Sequence, residues 1–421
     1  MRVKLPYGRD ELDFEIDERR VNGIIAPAEV SASARPQLEV EEALDHPIEG
    51  PTIEALNPKG KTVAIAVDDI TRVTPTSILL PPILRRLKKA GAKVGDIEII
   101  VALGTHRPMT DGEMKDKYGA EVVEEYRFLN HAFDDEASLQ YLGKIGGDVP
   151  VWINQEYLKA DLRIATGNLV PHCNAGWAGG AKTLLPGLAG EETVGQMHVR
   201  SALATPNALG TEDNPTRQLI EAFAERVGLH LIVNTALTRD GEIVKVFAGH
   251  FKRAHRKGVE FAKGIYAVPA PAGLANITIA SSYPADIDYW QGSKALYAAD
   301  LVTNPGGTII LVTPCPEGIS PTHPKLAEYL QRNVKELKAM AEQRDAEDLV
   351  ALGAALEMVN LSTKYGVTII SGGISEKDLP QATFGKVDDI QGTVDAVAHG
   401  YGPETTLNVL TNGGEIYPLL K

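Results

Sequence analysis

The run Lys61–Asp69, K-T-V-A-I-A-V-D-D, decides how this chain folds. From Thr62 to Val67 it is almost continuously apolar, with no in-and-out alternation. That is the pattern of a strand buried on both faces, which belongs in a parallel sheet covered by helices. Downstream, S-I-L-L-P-P-I-L-R-R-L-K-K-A-G reads as an amphipathic helix. Pro81 and Pro82 are expected to confine its start to the neighbourhood of Pro82, since proline lacks an amide donor and suits a first turn. A second apolar strand, I-E-I-I-V-A-L-G (Ile97 to Gly104), precedes the loop T-H-R-P-M-T and a polar helix from Asp111. Strand, helix, strand, helix predicts a parallel, doubly wound sheet.

The same rhythm continues. A-D-L-R-I-A-T-G reads as a third strand. D-N-P-T-R-Q-L-I-E-A-F-A-E-R-V-G reads as a helix capped by Asp213 or Asn214, with Pro215 in its first turn and Gly228 at its end. H-L-I-V-N-T-A-L-T-R-D-G-E-I-V-K-V-F predicts a hairpin turning at Asp240-Gly241. At the start of the chain, alternating residues predict an edge hairpin around Pro6-Tyr7-Gly8. The stretch A-V-P-A-P-A-G, Ala267 to Gly273, breaks the pattern and reads as a linker. Beyond it, A-N-I-T-I-A-S-S, G-T-I-I-L-V-T-P and G-V-T-I-I-S-G-G are three more short buried strands. The expectation is two Rossmann-like α/β domains with mostly parallel sheets, residues 1–269 and 270–421, and an active site in the crevice between them.

Length and charge agree. The 421 residues suggest roughly two or three domains. With 42 basic against 56 acidic residues, the net charge of −14 argues against a nucleic-acid partner, which needs a surplus of cations. Cys173 and Cys315 cannot make a disulfide framework, so a cytoplasmic setting is expected. The charged opening M-R-V-K-L-P-Y-G-R-D lacks an apolar signal core, and no apolar run approaches the ~20 residues of a membrane span.

In doubly wound sheets, ligands collect outside the carboxyl ends of the strands. Asp68, Asp69 and Arg72 follow the first strand, and Thr105, His106 and Arg107 follow the second. His172 and the loop G-W-A-G-G-A-K-T, Gly176 to Thr183, follow the third; Gln291 and Lys294 lie beyond a strand of the second domain. Each has a plainer reading. Arg72 beside two aspartates suits a surface ion pair, and His106 or His172 suits a satisfied loop histidine. The glycine loop approaches the phosphate-binding pattern G-x-x-x-x-G-K-[ST], and glycine amides of this kind can cradle a phosphate. However, Ala181 stands where glycine is required, and Pro186 disrupts the helix that should begin at Lys182.

Taken together, D-D-I-T-R-x-x-P, G-T-H-R, P-H-x-x-A-G-W-A-G-G-A-K, the histidine of M-H-V-R and Y-W-Q-G-S-K resemble the nickel-pincer nucleotide enzymes typified by lactate racemase. The resemblance implies that Lys182 covalently tethers a nicotinic-acid-derived mononucleotide, a pyridinium thioamide/thiocarboxylate. That group would hold nickel through two sulfurs and a ring carbon, with His198 as the protein ligand. It further implies that His106 and His172 are paired acid/base residues and that Arg72 and Lys294 bind the substrate carboxylate. Asp69, Thr71, Gly176, Gly179, Gly180 and Gln291 would line the cofactor and substrate site. The implied activity is racemisation or epimerisation of a 2-hydroxy acid by reversible hydride transfer. Lactate, malate and an aldonate are candidate substrates, and cofactor-building enzymes are the implied partners. Two hydroxyl directions require two bases, which histidines titrating near neutrality supply. A non-catalytic nucleotide or metal binder and a P-loop-like NTPase or kinase are the alternatives.

Overall fold

The computed structural model describes all residues other than 205–206, 271, 376, 380–383 and 421. Two six-stranded sheets organise it. In the first, the strand order is Ile243–Gly249, Leu231–Leu237, Leu162–Asn168, Val63–Asp68, Ile97–Ala102, Arg127–Asn130. Only the outermost pair, Leu231–Leu237 with Ile243–Gly249, is antiparallel, and it forms the hairpin expected around Asp240-Gly241. The run that opened the sequence reading lies at the centre. Val63, Ile65 and Val67 pack on one face with helix Thr76–Lys89, and Ala64 and Ala66 pack on the other with Ile220 and Phe223. Both faces are covered, which is why the sequence there does not alternate.

The second sheet is parallel throughout, in the order Phe384–Val387, Gly366–Ile370, Thr303–Val312, Ala275–Ser281, Leu407–Leu410, Val21–Ile25. The opening hairpin, Arg2–Tyr7 with Asp10–Glu15, forms as expected, and its Val3, Leu5 and Phe14 pack against Ile277, Ile279 and Ile310 of this sheet. The first residues of the chain therefore build the second sheet, and the unit expected over 1–269 does not coincide with one sheet.

Two local expectations also change. Helix Thr76–Lys89 starts six residues ahead of Pro82 and contains both prolines. Their missing amides leave the carbonyls of Ser77 and Ile78 without helical partners, and these residues lie on the exposed and half-buried side, where water can serve them. Within the expected linker, Ala267–Ala270 is a strand that pairs in parallel with Tyr417–Leu420, and Pro271 lies outside the described residues. The helix Pro215–Val227 is capped by Asn214, whose side chain accepts from the Arg217 amide, and ends at Gly228 in the left-handed region.

Candidate active site

In each sheet, the winding direction reverses beside the central strand that comes first in sequence: between Val63–Asp68 and Leu162–Asn168, and between Ala275–Ser281 and Leu407–Leu410. Loops part there and leave a crevice at the carboxyl ends. The two crevices face each other across one cavity of about 1060 Å³, its mouth included. Asp69, Arg72, His106, His172, Gly179, Lys182, His198, Gln291 and Lys294 line it.

Asp68 and Asp69 are adjacent in sequence and do different work. Asp68 turns back to accept from Thr74, with Lys117 3.9 Å away, and so fixes the loop. Asp69 faces the cavity. One of its oxygens lies 2.6 Å from His106 Nδ1, and the other accepts from the amide (3.1 Å) and hydroxyl (2.6 Å) of Thr71. Burial pushes the Asp69 carboxyl up, but His106, Arg72 and Thr71 outweigh it and hold the group well below the usual carboxylate range. Burial outweighs Asp69 at His106 and depresses the imidazole. The pair is therefore an ionised carboxylate and a neutral ring whose Nδ1 carries the proton, which leaves Nε2 free to accept. Gln291 Nε2 lies 3.1 Å from that Nε2, so the two sheets' strand ends meet at this atom.

Lys294 donates to Gln291 Oε1, and Arg72 reaches the same oxygen at 3.3 Å. Two cations thus converge on one amide oxygen. Burial, then Arg72, pushes the Lys294 amine down to about 7. Gln291 is held by the short helix Tyr289–Gly292, whose cap Asp288 accepts from the Gln291 amide at 2.7 Å.

His172 is oriented by backbone. Its Nδ1 accepts from the amides of Asn174 (3.2 Å) and Ala175 (3.4 Å), so the proton of the neutral ring sits on Nε2. Burial, with Lys182, Lys294 and Arg72, holds it well below the ordinary histidine range.

Three of the glycine loop's amides bond within the protein and are not open to a phosphate. The Gly180 amide donates to Asn234 Oδ1 (2.7 Å), the Ala178 amide to Val170 O (2.7 Å), and the Lys182 amide to Gly179 O (3.3 Å). Buried Arg217 grips the loop from outside through the carbonyls of Ala175 and Trp177. The glycines are needed for packing. A Cβ on Gly176 would lie 1.9 Å from Thr211 O, and one on Gly180 would lie 2.9 Å from the His255 ring, both at positive φ. Gly179 lines the cavity, whereas Gly176 and Gly180 sit behind it, as Thr71 sits behind Asp69. The loop's product is the placement of Lys182 on the turn Gly180–Thr183. Its amine is buried, with no hydrogen bond or ion pair to any described residue. Burial and the charges of Arg72, Lys294 and Arg217 depress it well below an ordinary lysine.

His198 comes from helix Glu191–Ala204, which packs closely on helix Leu349–Ser362. A Cβ on Gly353 would lie 2.8 Å from the His198 backbone, so only glycine allows this approach. Burial pushes the His198 imidazole down to about 3, and among the described residues neither ring nitrogen makes a hydrogen bond. The Nδ2 of Asn168, also in the lining, has no partner among the described residues. A buried amine depressed below the ordinary lysine range, an imidazole without a hydrogen-bond partner among the described residues and an open amide donor around one cavity fit an acylating nucleotide that carries a metal.

Sequence reasoning missed several neighbours. Trp290 stands edge-on to His106 (5.4 Å) and to His323 (4.9 Å), with His198 at 5.9 Å. His323 bridges Asp348 (2.7 Å) and the Thr105 hydroxyl (2.8 Å). Glu357 and Tyr297 close the cavity beside Asn174. The W-Q dipeptide could have flagged Trp290, but no local signal marks the others.

The lactate racemase N-terminal domain family matches residues 7–210. The lactate racemases of Thermoanaerobacterium thermosaccharolyticum and Lactiplantibacillus plantarum are each 32% identical over 320 residues, 75% of this chain and 75% of each relative. The structure of the lactate racemase apoprotein from T. thermosaccharolyticum superposes with a TM-score of 0.88 at 26% identity, covering 100% of both chains. A Thermotoga maritima protein shares the fold, with a TM-score of 0.73 at 20% identity, over 93% of this chain and 100% of that one.

Proposed function

The chain belongs to the lactate racemase family of isomerases, and on that premise we propose that it inverts C2 of lactate or another 2-hydroxy acid in the cavity between its two sheets. The observation that carries the reading is the convergence on one space of a carboxylate-held histidine, a backbone-held histidine, two basic side chains on one amide oxygen and a buried lysine whose amine is depressed.

Arg72 and Lys294 bind the substrate carboxylate, and the planar guanidinium fixes the pivot about which the C2 groups exchange places. The Nε2 of His106 accepts the hydroxyl proton of one enantiomer, while Asp69 holds the ring in the accepting tautomer and stabilises its protonated form. His172 serves the other enantiomer, and its Nε2 accepts that hydroxyl's proton only in the tautomer with the ring hydrogen on Nδ1, so substrate binding must shift the hydrogen that the Asn174 and Ala175 amides place on Nε2 at rest. Gln291 bridges the cations and His106, and so keeps the carboxylate and hydroxyl subsites in register. Trp290 covers the His106 ring and limits water there.

The cofactor is part of this proposal: a nickel-pincer mononucleotide, joined to Lys182, liganded by His198, lined by Gly179 and Asn168, and supplied by separate cofactor-building enzymes. When bound, it would supply a reversible hydride acceptor for C2. The depressed amine of Lys182 supports the attachment, since an acyl group is attacked by an uncharged nitrogen. Intact mass of protein produced alongside those enzymes tests this. The wild type should carry the nucleotide's added mass and Lys182→Ala should not; added mass on Lys182→Ala would refute the tether.

A further inference from the structure

We propose that the buried carboxylate of Glu357 selects the substrate's side chain, and that it selects chains bearing hydroxyl groups. The inference rests on the hydroxy-acid reading above and narrows it to a class, a polyhydroxy acid of the aldonate type.

Helix Leu349–Ser362 runs along the second sheet's side of the cavity, and its Ala354, Glu357 and Met358 all line it. Their spacing of three and four places them on one helical face. Glu357 is buried, and its Oε1 accepts from Asn174 Nδ2 (2.7 Å) while its Oε2 accepts from the Tyr297 hydroxyl (2.8 Å). Asn174 is itself fixed by Ser201 Oγ at 3.0 Å, with Cys173 Sγ donating to its Oδ1 at 2.7 Å. Among the described residues no cation pairs with Glu357. Burial, only partly offset by hydrogen bonds from Tyr297, Asn174 and Ser201, pushes its carboxyl up to about 7, and a glutamine would satisfy Asn174 and Tyr297 equally, accepting from the first and donating to the second. The carboxylate is thus more than packing requires. It borders the cavity, where a carboxyl, ionised or protonated, can hydrogen-bond a substrate hydroxyl.

The rest of the cavity decides what meets it. Arg72 and Lys294 occupy the carboxylate end of the substrate. A second carboxylate on the side chain, as in malate, would face Glu357 and be repelled by its ionised form. An ammonium would enter a space already lined by Arg72 and Lys294. A methyl group, as in lactate, would leave the acceptors unmet beside the small Ala354. Hydroxyls at C3 and beyond donate to Glu357 without adding charge. Buried acceptors of this kind discriminate strongly against an analogue that lacks the donor.

The test is C2 inversion by the cofactor-loaded protein on enantiopure lactate, malate, 2,3-dihydroxypropanoate and a five-carbon aldonate, comparing kcat/KM for wild type and Glu357→Gln. The expected result is a wild-type preference for the hydroxylated acids over lactate and malate of tenfold or more. Glu357→Gln should lose about 10–100-fold of that preference, the scale of a hydrogen bond to a charged group, while malate gains relative to lactate. A wild type that inverts lactate or malate as fast as the hydroxylated acids overturns the inference, and this arm does not depend on the variant folding. A Glu357→Gln protein that slows every acid by one common factor overturns it too, because Glu357 is then only structural. Inversion of none of the four acids defeats the hydroxy-acid reading itself, a separate failure that takes this inference with it.

Discussion

The two walls of the cavity are built differently. The first sheet contributes reactive groups that its own loops hold: His106 by Asp69 and Thr71, His172 by the amides of Asn174 and Ala175, Lys182 by a glycine turn locked by Arg217. The second sheet contributes groups that meet the first wall across the gap: Gln291 at His106, Trp290 against His106 and His198, Glu357 at Asn174. On the proposed reading the first wall holds the acid/base histidines and the tether lysine, and grip and choice fall to its Arg72 together with the second wall. Substitutions at the first wall's histidines and their supports should therefore act on kcat, and those at Arg72 and on the second wall on KM and selectivity.

The sharpest way to break this division is Asp69→Asn. The amide cannot hold His106 in the accepting tautomer as a carboxylate does, so kcat should fall by about 10³–10⁴ with KM little changed, the scale seen when a triad carboxylate is neutralised. Steady-state kinetics of the loaded variant decides it, and a change confined to KM would place Asp69 in binding. Lys294→Ala comes next. Losing one charge-assisted contact to the substrate carboxylate should raise KM by about 10–100-fold, with a smaller effect on kcat.

The same lysine sets a pH dependence. Its amine sits at about 7, and only the protonated form attracts a carboxylate, so KM should rise as pH climbs through that value. His106 titrates below the ordinary histidine range and acts as the neutral ring, so kcat should persist as pH falls to 6.5 and decline only beneath it. A kcat that collapses on the acid side well above 6.5 would contradict the assignment. The smallest effect is expected at Arg107, which spans the gap to Glu317 and also holds Glu113. The pair is partly exposed, so Arg107→Ala should cost under about 1 kcal/mol of stability by denaturant midpoint.

The contrast between the walls also explains what the sequence revealed. Strands buried on both faces appear as apolar runs, and polar residues just beyond them, such as Asp69, His106 and His172, stand out by position alone. The glycine loop was legible as a device for placing Lys182, although the amides of Gly180 and Ala178 are taken by Asn234 and Val170. Trp290, His323 and Glu357 were not legible in their roles, because they sit on helices and connections whose approach depends on contacts such as Gly353 against His198. Nothing local in V-N-G-I-I marks Val21–Ile25 as an edge strand of a sheet whose other members begin at Ala275. The early start of helix Thr76–Lys89 shows tertiary burial of Leu79 and Leu80 overriding a proline rule.

The central claim is that the hydrogen on C2 leaves and returns as hydride without meeting solvent. The loaded protein, given one enantiomer of a 2-hydroxy acid carrying deuterium at C2 in ordinary water, tests it by mass spectrometry of the inverted product. Retention of the label through inversion is predicted. Loss of deuterium in step with inversion would show that a proton is exchanged with water instead, and would contradict the account.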